Sequence, residues 1–188
     1  VQINDGSANF HKANIRVKSK FISKEKTPNW RLGAWSATTG YPENGGFHQN
    51  RLWLTTTSTQ PQTLWASEVN VYNVFSPNDL ETGQVVDSTS LDLTLASRQV
   101  NTINHIKSDA QGLMVFTSGG EWLGRASNPS APITPSDVGF SKQSSYGSIK
   151  GVEPVRMGTA YLLFQRDKAT LREYTYQFGQ DRFVAPNI

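Results

Sequence analysis

Three segments of the chain share one layout, in which an apolar strand, a polar turn and an aromatic return strand follow each other. The first is 47–69, FHQNRLWLTTTSTQPQTLWASEV, where residue character alternates on both sides of Pro61. Pro61 has no N–H group to donate and its φ is preset, so it predicts a turn. The alternation predicts a β-hairpin. We expect one face of this hairpin to carry its smaller apolar residues, Leu52, Leu54, Leu64 and Ala66.

The layout returns at 113–124 and at 161–174. The spacing from Leu52 to Leu113 is about 61 residues, and that from Leu113 to Leu162 is about 49. Propeller blades repeat every 40 to 50 residues or so, and each is a four-stranded antiparallel sheet. The pattern therefore predicts an all-β fold of antiparallel, β-propeller-like blades, with room for about four blades or for an incomplete propeller. A β-sandwich, which also has short strands and frequent turns, is the alternative.

The absence of helix signals also favours an all-β fold. No window of 12 residues carries apolar groups at helical spacing without a Gly, Pro or Asn that breaks it. The longest apolar run is five residues, 160–164, whereas about 20 are needed to span a bilayer. We therefore expect strands throughout and no membrane-spanning segment.

Charge is unevenly distributed, although the formal net charge is only +3. Within 12–31 the basic residues are opposed only by Glu25, and they are Lys12, Arg16, Lys18, Lys20, Lys24, Lys26 and Arg31. An alternating strand at 15–22 and a loop at 23–29 are predicted within this arm. The predicted division is a basic N-terminal arm or part of a neighbouring domain at 1–30, and a propeller-like region at 31–188. Between Glu68 and Glu121 the balance is acidic, with Asp79, Glu81, Asp87, Asp92 and Asp109 against Arg98 and Lys107.

Several kinds of chemistry have no support in the sequence. The absence of cysteine excludes disulfides, thiolate metal sites and cysteine nucleophiles. His11, His48 and His105 are far apart, and none has a partner at metal-ligand spacing, so surface or structural histidines are expected. No G-x-S-x-G elbow and no phosphate-binding loop are present. We therefore predict no catalytic, cofactor-binding or metal-ligating residue and no enzymatic activity.

The segment 117–122, TSGGEW, is the most motif-like stretch. Its glycines permit a turn with positive φ, and a carboxylate beside Trp122 is a candidate acid with a raised pKa. A turn between two buried strands explains the glycines equally well and is the preferred interpretation. Convergence of Asp87, Asp92 and Glu121 into a glycoside-cleaving pair stays open at this point.

Two binding modes also stay open. The basic arm has the residue types that contact phosphates, although a solvated strand face is the simpler explanation. The tryptophans are expected to be mostly core, with stacking on sugars or bases as the alternative, and they are Trp30, Trp35, Trp53, Trp65 and Trp122.

A series of motifs runs in order through residues 30–188: Gly33-Ala34-Trp35-Ser36, Gly40-Tyr41-Pro42, Phe47 to Leu54, Gln60 to Ser67, Leu93 to Ile103, Thr117 to Trp122, Ser144-Ser145-Tyr146-Gly147, Pro154-Val155-Arg156, Leu163 to Arg166, and Arg172-Glu173. In residue sequence and order, these motifs resemble those of the tail nozzle proteins of short-tailed bacteriophages, also called tail tubular protein B or stabilisation proteins.

The resemblance implies a β-propeller-based virion subunit, assembled in the host cytoplasm into a homo-oligomeric ring that is expected to be hexameric. Such a ring extends the tail below the portal and adaptor, contacts other tail proteins, and passes DNA without reading its sequence. It implies no catalysis and no cofactor. The acidic middle of the chain is a candidate lining of the channel. A carbohydrate-binding or carbohydrate-cleaving tail module is the alternative function, and a DNA-binding module using the basic arm is the third.

Overall fold

The computed structural model describes residues 2–4, 10–12, 34–79, 82–97, 100–180 and 182–187. The chain divides into two compact units, Val1–Arg31 and Leu32–Ile188. In the first unit, strands β1 (Gln2–Asn4) and β2 (Phe10–Lys12) pair antiparallel. The strand and loop expected at 15–29, together with Trp30, lie outside the described residues.

The second unit contains three four-stranded antiparallel sheets, each a meander in chain order. The first sheet consists of β3 (Asn44–His48), β4 (Arg51–Thr55), β5 (Thr63–Ala66) and β6 (Leu91–Thr94). The second sheet consists of β7 (Ile103–Asp109), β8 (Gly112–Thr117), β9 (Gly120–Arg125) and β10 (Gly139–Ser144). The third sheet consists of β11 (Val155–Met157), β12 (Ala160–Phe164), β13 (Leu171–Gln177) and β14 (Arg182–Val184). Among the described residues, the helical element is one 3-10 turn, Phe178–Gln180. No helix in this part of the chain is long and apolar enough to cross a membrane.

The second sheet lies between the other two, and strand β8 shows this most clearly because all six of its residues are buried. Leu113 and Val115 point to one face and pack into a core cluster with Trp53 of the first sheet. Met114 and Phe116 point to the other face and pack with Tyr161 of the third sheet. Successive side chains of a strand point to opposite faces, so a continuous apolar run is what a strand covered on both sides requires.

The predicted fold class is confirmed: the described chain is all-β and built from blade-like antiparallel sheets. All three expected hairpins form, as β4–β5, β8–β9 and β12–β13. A β-sandwich has two layers, whereas these three sheets enclose two core clusters. The described residues form three blade-like sheets, whereas the estimate was about four. In the connection between Ala66 and Leu91, the described residues 67–79 and 82–90 form no strand of a sheet.

The expected face of the first hairpin is wrong. Residues opposite each other in an antiparallel pair lie on the same face, and here Trp53 pairs with Ala66 and Thr55 with Leu64. Leu64 and Ala66 therefore share the core face with Trp53, whereas Leu52 and Leu54 are half-buried on the other face. The length of the 56–62 turn sets this register, and strand alternation alone does not reveal it. Pro61 lies in that turn, as predicted.

Candidate functional site

The outer face of the third sheet is an uncovered apolar surface. Its members follow from the strand register, which places Val155 opposite Leu162 and Phe164 opposite Leu171 on the side away from Tyr161 and Tyr174. We call it the outer face and define it by Val155, Met157, Leu162, Phe164, Leu171 and Val184. Val155 is 60% exposed, Met157 59% and Phe164 43%. Contiguous exposed apolar side chains of this kind mark interaction surfaces.

A second feature is an open cavity of about 440 Å³ next to the β8–β9 and β12–β13 turns. Its lining includes the cations Lys150, Arg166 and Lys168 together with the hydroxyls of Thr102 and Ser118. We call it the cationic cavity. None of the lining residues carries a carboxylate, so this concave site favours anions.

A polar network ties the three sheets together at the opposite end of β7. His48 Nδ1 lies 2.8 Å from Ser108 Oγ, and Tyr161 Oη donates to Ser108 O at 3.1 Å and to Asp109 Oδ2 at 3.2 Å. Burial, followed by the charge of Asp109, raises the pKa of Tyr161 to about 12. The network joins one residue of the first sheet, two of the second and one of the third, and so positions the sheets.

The pair of His48 and Ser108 does not have the geometry of a nucleophile and its base. A catalytic base is oriented by a third group on its second ring nitrogen. His48 Nε2 is buried and has no hydrogen-bond partner among the described residues. Burial lowers the pKa of His48, although Asp109 opposes this, so the neutral ring is favoured.

His48 and His105, whose side chains the structure describes, are hydrogen-bonded within the fold. His105 Nε2 lies 3.3 Å from Ile149 O. The pKa of His105 is lowered, and burial is the largest cause. No group of three or more His, Asp or Glu side chains suited to a metal occurs in the described part of the chain. The side chain of His11 lies outside the described residues.

Glu121 is fully buried beneath the β8–β9 turn, and Ser144 Oγ donates a hydrogen bond to its Oε2. Burial raises the pKa of Glu121 above its ordinary value. Ser144, the backbone N–H groups of Gly147 and Tyr146, and the charge of Lys142 act in the opposite direction. The raised pKa agrees with the sequence-based suggestion, but a carboxyl group inaccessible to solvent cannot serve as an acid for an external substrate.

We expect stability to fall as pH rises because of Glu121. A carboxyl group whose pKa is raised in the folded state contributes most below its unfolded value of 4.5, and this contribution is lost as pH rises through the folded pKa. Glu121→Gln, which still accepts from Ser144, should therefore become progressively more stable than the parent between acidic and neutral pH. Urea unfolding of both proteins across this range tests it, and parallel curves would contradict it.

The three carboxylates considered for glycoside cleavage occupy different surroundings. Asp87 is exposed in the β5–β6 connection, where Ser136 Oγ donates to it at 3.4 Å, and Asp92 is exposed on β6 opposite Trp65. Glu121 is buried on β9 of the second sheet. The described residues therefore show no carboxylate pair built from these three.

The tryptophans are mostly core, as predicted. Trp53, Trp65 and Trp122 are buried, and Trp35 packs edge-on against Trp65 with ring centroids 5.7 Å apart. The TSGGEW segment forms the expected turn, in which Thr117 pairs with Gly120. Of its two glycines, Gly120 has the positive φ, at 150°. The Gly119 site is crowded: an added Cβ would lie 2.0 Å from Asn101 Oδ1.

The basic arm cannot be placed, because 13–31 and the Lys12 side chain lie outside the described residues. Sequence reasoning identified neither the outer face nor the cationic cavity. The apolar run 160–164 gives no sign of which of its two faces the second sheet covers. The cations of the cavity come from separate turns, so no local spacing connects them.

No protein-family model matches the sequence, and no curated protein matches it.

Proposed function

We propose that this chain is a structural virion protein, a subunit of the phage tail nozzle ring that seals and conducts the DNA ejection channel. The observation that carries the proposal is the outer face of the third sheet. A stack of blade-like sheets that ends on an exposed apolar face is suited to building an assembly rather than to turning over a substrate.

The stacking of the sheets supports a proposal for what covers the outer face. Both faces of the second sheet are buried against four-stranded antiparallel sheets. On the outer face, Glu173 lies opposite Leu162, and its carboxylate accepts from Thr175 Oγ1 at 3.2 Å, so one charged side chain lies among the apolar residues. We assign its occupant as another antiparallel sheet, supplied by a second copy of the chain in the ring.

The motifs that resemble those of nozzle proteins support the same proposal. Phe47 to Leu54 spans β3–β4, Gln60 to Ser67 contains β5, and Thr117 to Trp122 contains the β8–β9 turn. They are thus elements of the blades rather than a substrate site. In this proposal the ring is hexameric, contacts the portal, the adaptor and other tail proteins, and uses the acidic middle of the chain to line the channel without binding DNA tightly.

Charge on the outer face should prevent assembly while leaving the fold intact. In Phe164→Glu, a carboxylate replaces a side chain that is already 43% exposed, so the isolated subunit should unfold much as the parent does. Burying that charge in a contact between sheets should instead be unfavourable. Electron microscopy of the chain mixed with portal and adaptor proteins should show rings for the parent and none for the variant.

Val85→Glu is the matched control, because Val85 is an exposed apolar residue of the β5–β6 connection and is not part of the outer face. Rings should form with this variant. Absence of rings with the parent, or rings with Phe164→Glu, would contradict the proposed function.

One observation favours a carbohydrate-binding module as a second candidate. Phe47 and Tyr72 form an exposed edge-on pair with centroids 5.1 Å apart, and exposed aromatic rings can stack on sugars. A glycan array distinguishes the candidates: saturable binding that is lost in Tyr72→Ala would favour the sugar-binding function. The buried Glu121 and Trp122 are not available for this role without rearrangement.

A further inference from the structure

The cationic cavity combines concavity with cations that have no carboxylate partner. Lys150 Nζ is paired with Glu43 Oε2 at 2.6 Å. No ion pair joins Arg166 or Lys168 to a carboxylate within the described ranges. Two of the three cations of the cavity are therefore available to a ligand.

Hydrogen bonds fix the backbone at both available cations. Arg166 N donates to Gly147 O at 3.0 Å, and Arg166 Cδ would lie 3.3 Å from a Cβ added at Gly147. Lys168 has a φ of 64°, and its N–H donates to Gln165 O at 3.0 Å. The β12–β13 turn thus presents two exposed cationic side chains from a backbone held by hydrogen bonds.

Asp167 lies between these two residues in sequence, but its carboxylate is engaged by its own turn. Its Oδ1 accepts from the N–H groups of Ala169 and Thr170, both at 3.0 Å, and its Oδ2 accepts from Thr170 Oγ1 at 2.7 Å. These bonds, led by that from Ala169, hold the pKa of Asp167 below its ordinary value. Asp167 is also not among the residues that line the cavity.

Neutral donors complete the lining. Thr102 and Ser118 contribute hydroxyl groups, which can donate to oxyanions. Asn104 is buried behind them, where its Nδ2 donates to Ser148 O at 2.9 Å and so fixes the cavity wall. An arginine fork, an ammonium and two hydroxyls form a donor set suited to a tetrahedral oxyanion.

We propose that the cationic cavity binds the phosphate group of a small phosphate monoester. Charge favours this class: a monoester carries about −1.5 to −2 at neutral pH and matches the two available cations, whereas a phosphodiester or a carboxylate carries one charge. Size agrees as well, because about 440 Å³ exceeds what a phosphate alone fills and lies in the range of small-ligand pockets. None of the lining residues belongs to the outer face, although the β12–β13 turn directly follows Phe164. The binding proposal does not rest on ring assembly.

Calorimetric titration of the whole chain with glucose 6-phosphate tests the site, with glucose and inorganic phosphate as companion probes. We expect saturable binding of glucose 6-phosphate, weaker binding of inorganic phosphate and none of glucose. Arg166→Gln and Lys168→Gln should each weaken binding about tenfold or more, since each removes a charged donor. Affinity should also fall as pH drops below about 6, where the ligand loses a charge.

Arg182→Gln is the matched control, because Arg182 is an exposed cation of the same sheet, paired with Gln177 at the end of β13 remote from the β12–β13 turn. The affinity of Arg182→Gln for glucose 6-phosphate should equal that of the parent. Thermal unfolding should verify that all three variants fold. Absence of saturation, or equal weakening by Arg182→Gln, would overturn the proposal. It would also be overturned if a thymidine oligonucleotide without terminal phosphates bound more tightly than glucose 6-phosphate, because the ligand would then be a nucleic-acid backbone.

Discussion

Phe116→Ala should lower the free energy of unfolding by about 3–5 kcal/mol, the usual range for truncating a fully buried phenylalanine. Phe116 is 0% exposed near the end of β8, and its ring lies edge-on to those of Tyr161 and Tyr174 of the third sheet, with both centroids 5.9 Å away. Truncation therefore leaves a cavity between the second and third sheets. A loss of this size is a large part of the total stability of a domain.

Guanidinium-induced unfolding measures this loss, and Phe164→Ala is the matched control because it truncates the same side chain on the uncovered outer face. We expect the control to change the free energy by less than about 1 kcal/mol. Equal losses in the two variants would show that the two phenylalanines are buried to a similar extent, which would contradict the arrangement of the third sheet.

Removal of the Arg51 guanidinium should have the second largest effect. Arg51 is 1% exposed, and its side chain donates to the carbonyls of Ser67 at 2.8 Å, Asp87 at 2.6 Å and Thr89 at 2.7 Å. These bonds hold both ends of the long β5–β6 connection against the first sheet. Arg51→Met leaves the carbonyls without a donor, so we expect a loss of about 3 kcal/mol.

A local readout separates this role from general destabilisation. Chymotrypsin should cleave Arg51→Met after Tyr72 or Phe75 under conditions that leave the parent intact, because the connection is no longer held. Arg51→Lys should be intermediate, since an ammonium cannot reproduce the planar fork. Arg182→Met, which removes an exposed arginine, should behave as the parent; unchanged cleavage in Arg51→Met would contradict the proposed contacts.

The sequence was sufficient to predict the hairpins but not the faces they present. Strand alternation and Pro61 located β4 and β5, whereas the pairing of Trp53 with Ala66 depends on the turn length and reverses the expected face. Likewise, the run of buried residues in β8 is compatible with any strand covered on both sides, and only the stacking shows that Phe116 belongs to the third sheet's core.

The surfaces were less predictable because they depend on which sheets are neighbours. Met157 and Leu163 both look like core residues in the sequence, yet the first is 59% exposed and the second is buried. Lys150 and Arg166 are 16 residues apart and line the same cavity only because residues 147–149 pair with the β12–β13 hairpin. Long-range register of this kind leaves no local signal in a single sequence.

Cysteine accessibility at position 164 tests the central claim most directly, because the chain has no cysteine of its own. Phe164→Cys should react readily with a maleimide in the isolated chain and slowly in the ring assembled with portal and adaptor, whereas Val85→Cys should react at the same rate in both. This result would show that the outer face is covered in the assembly. Equal reactivity of Phe164→Cys in the isolated and assembled states would contradict the account.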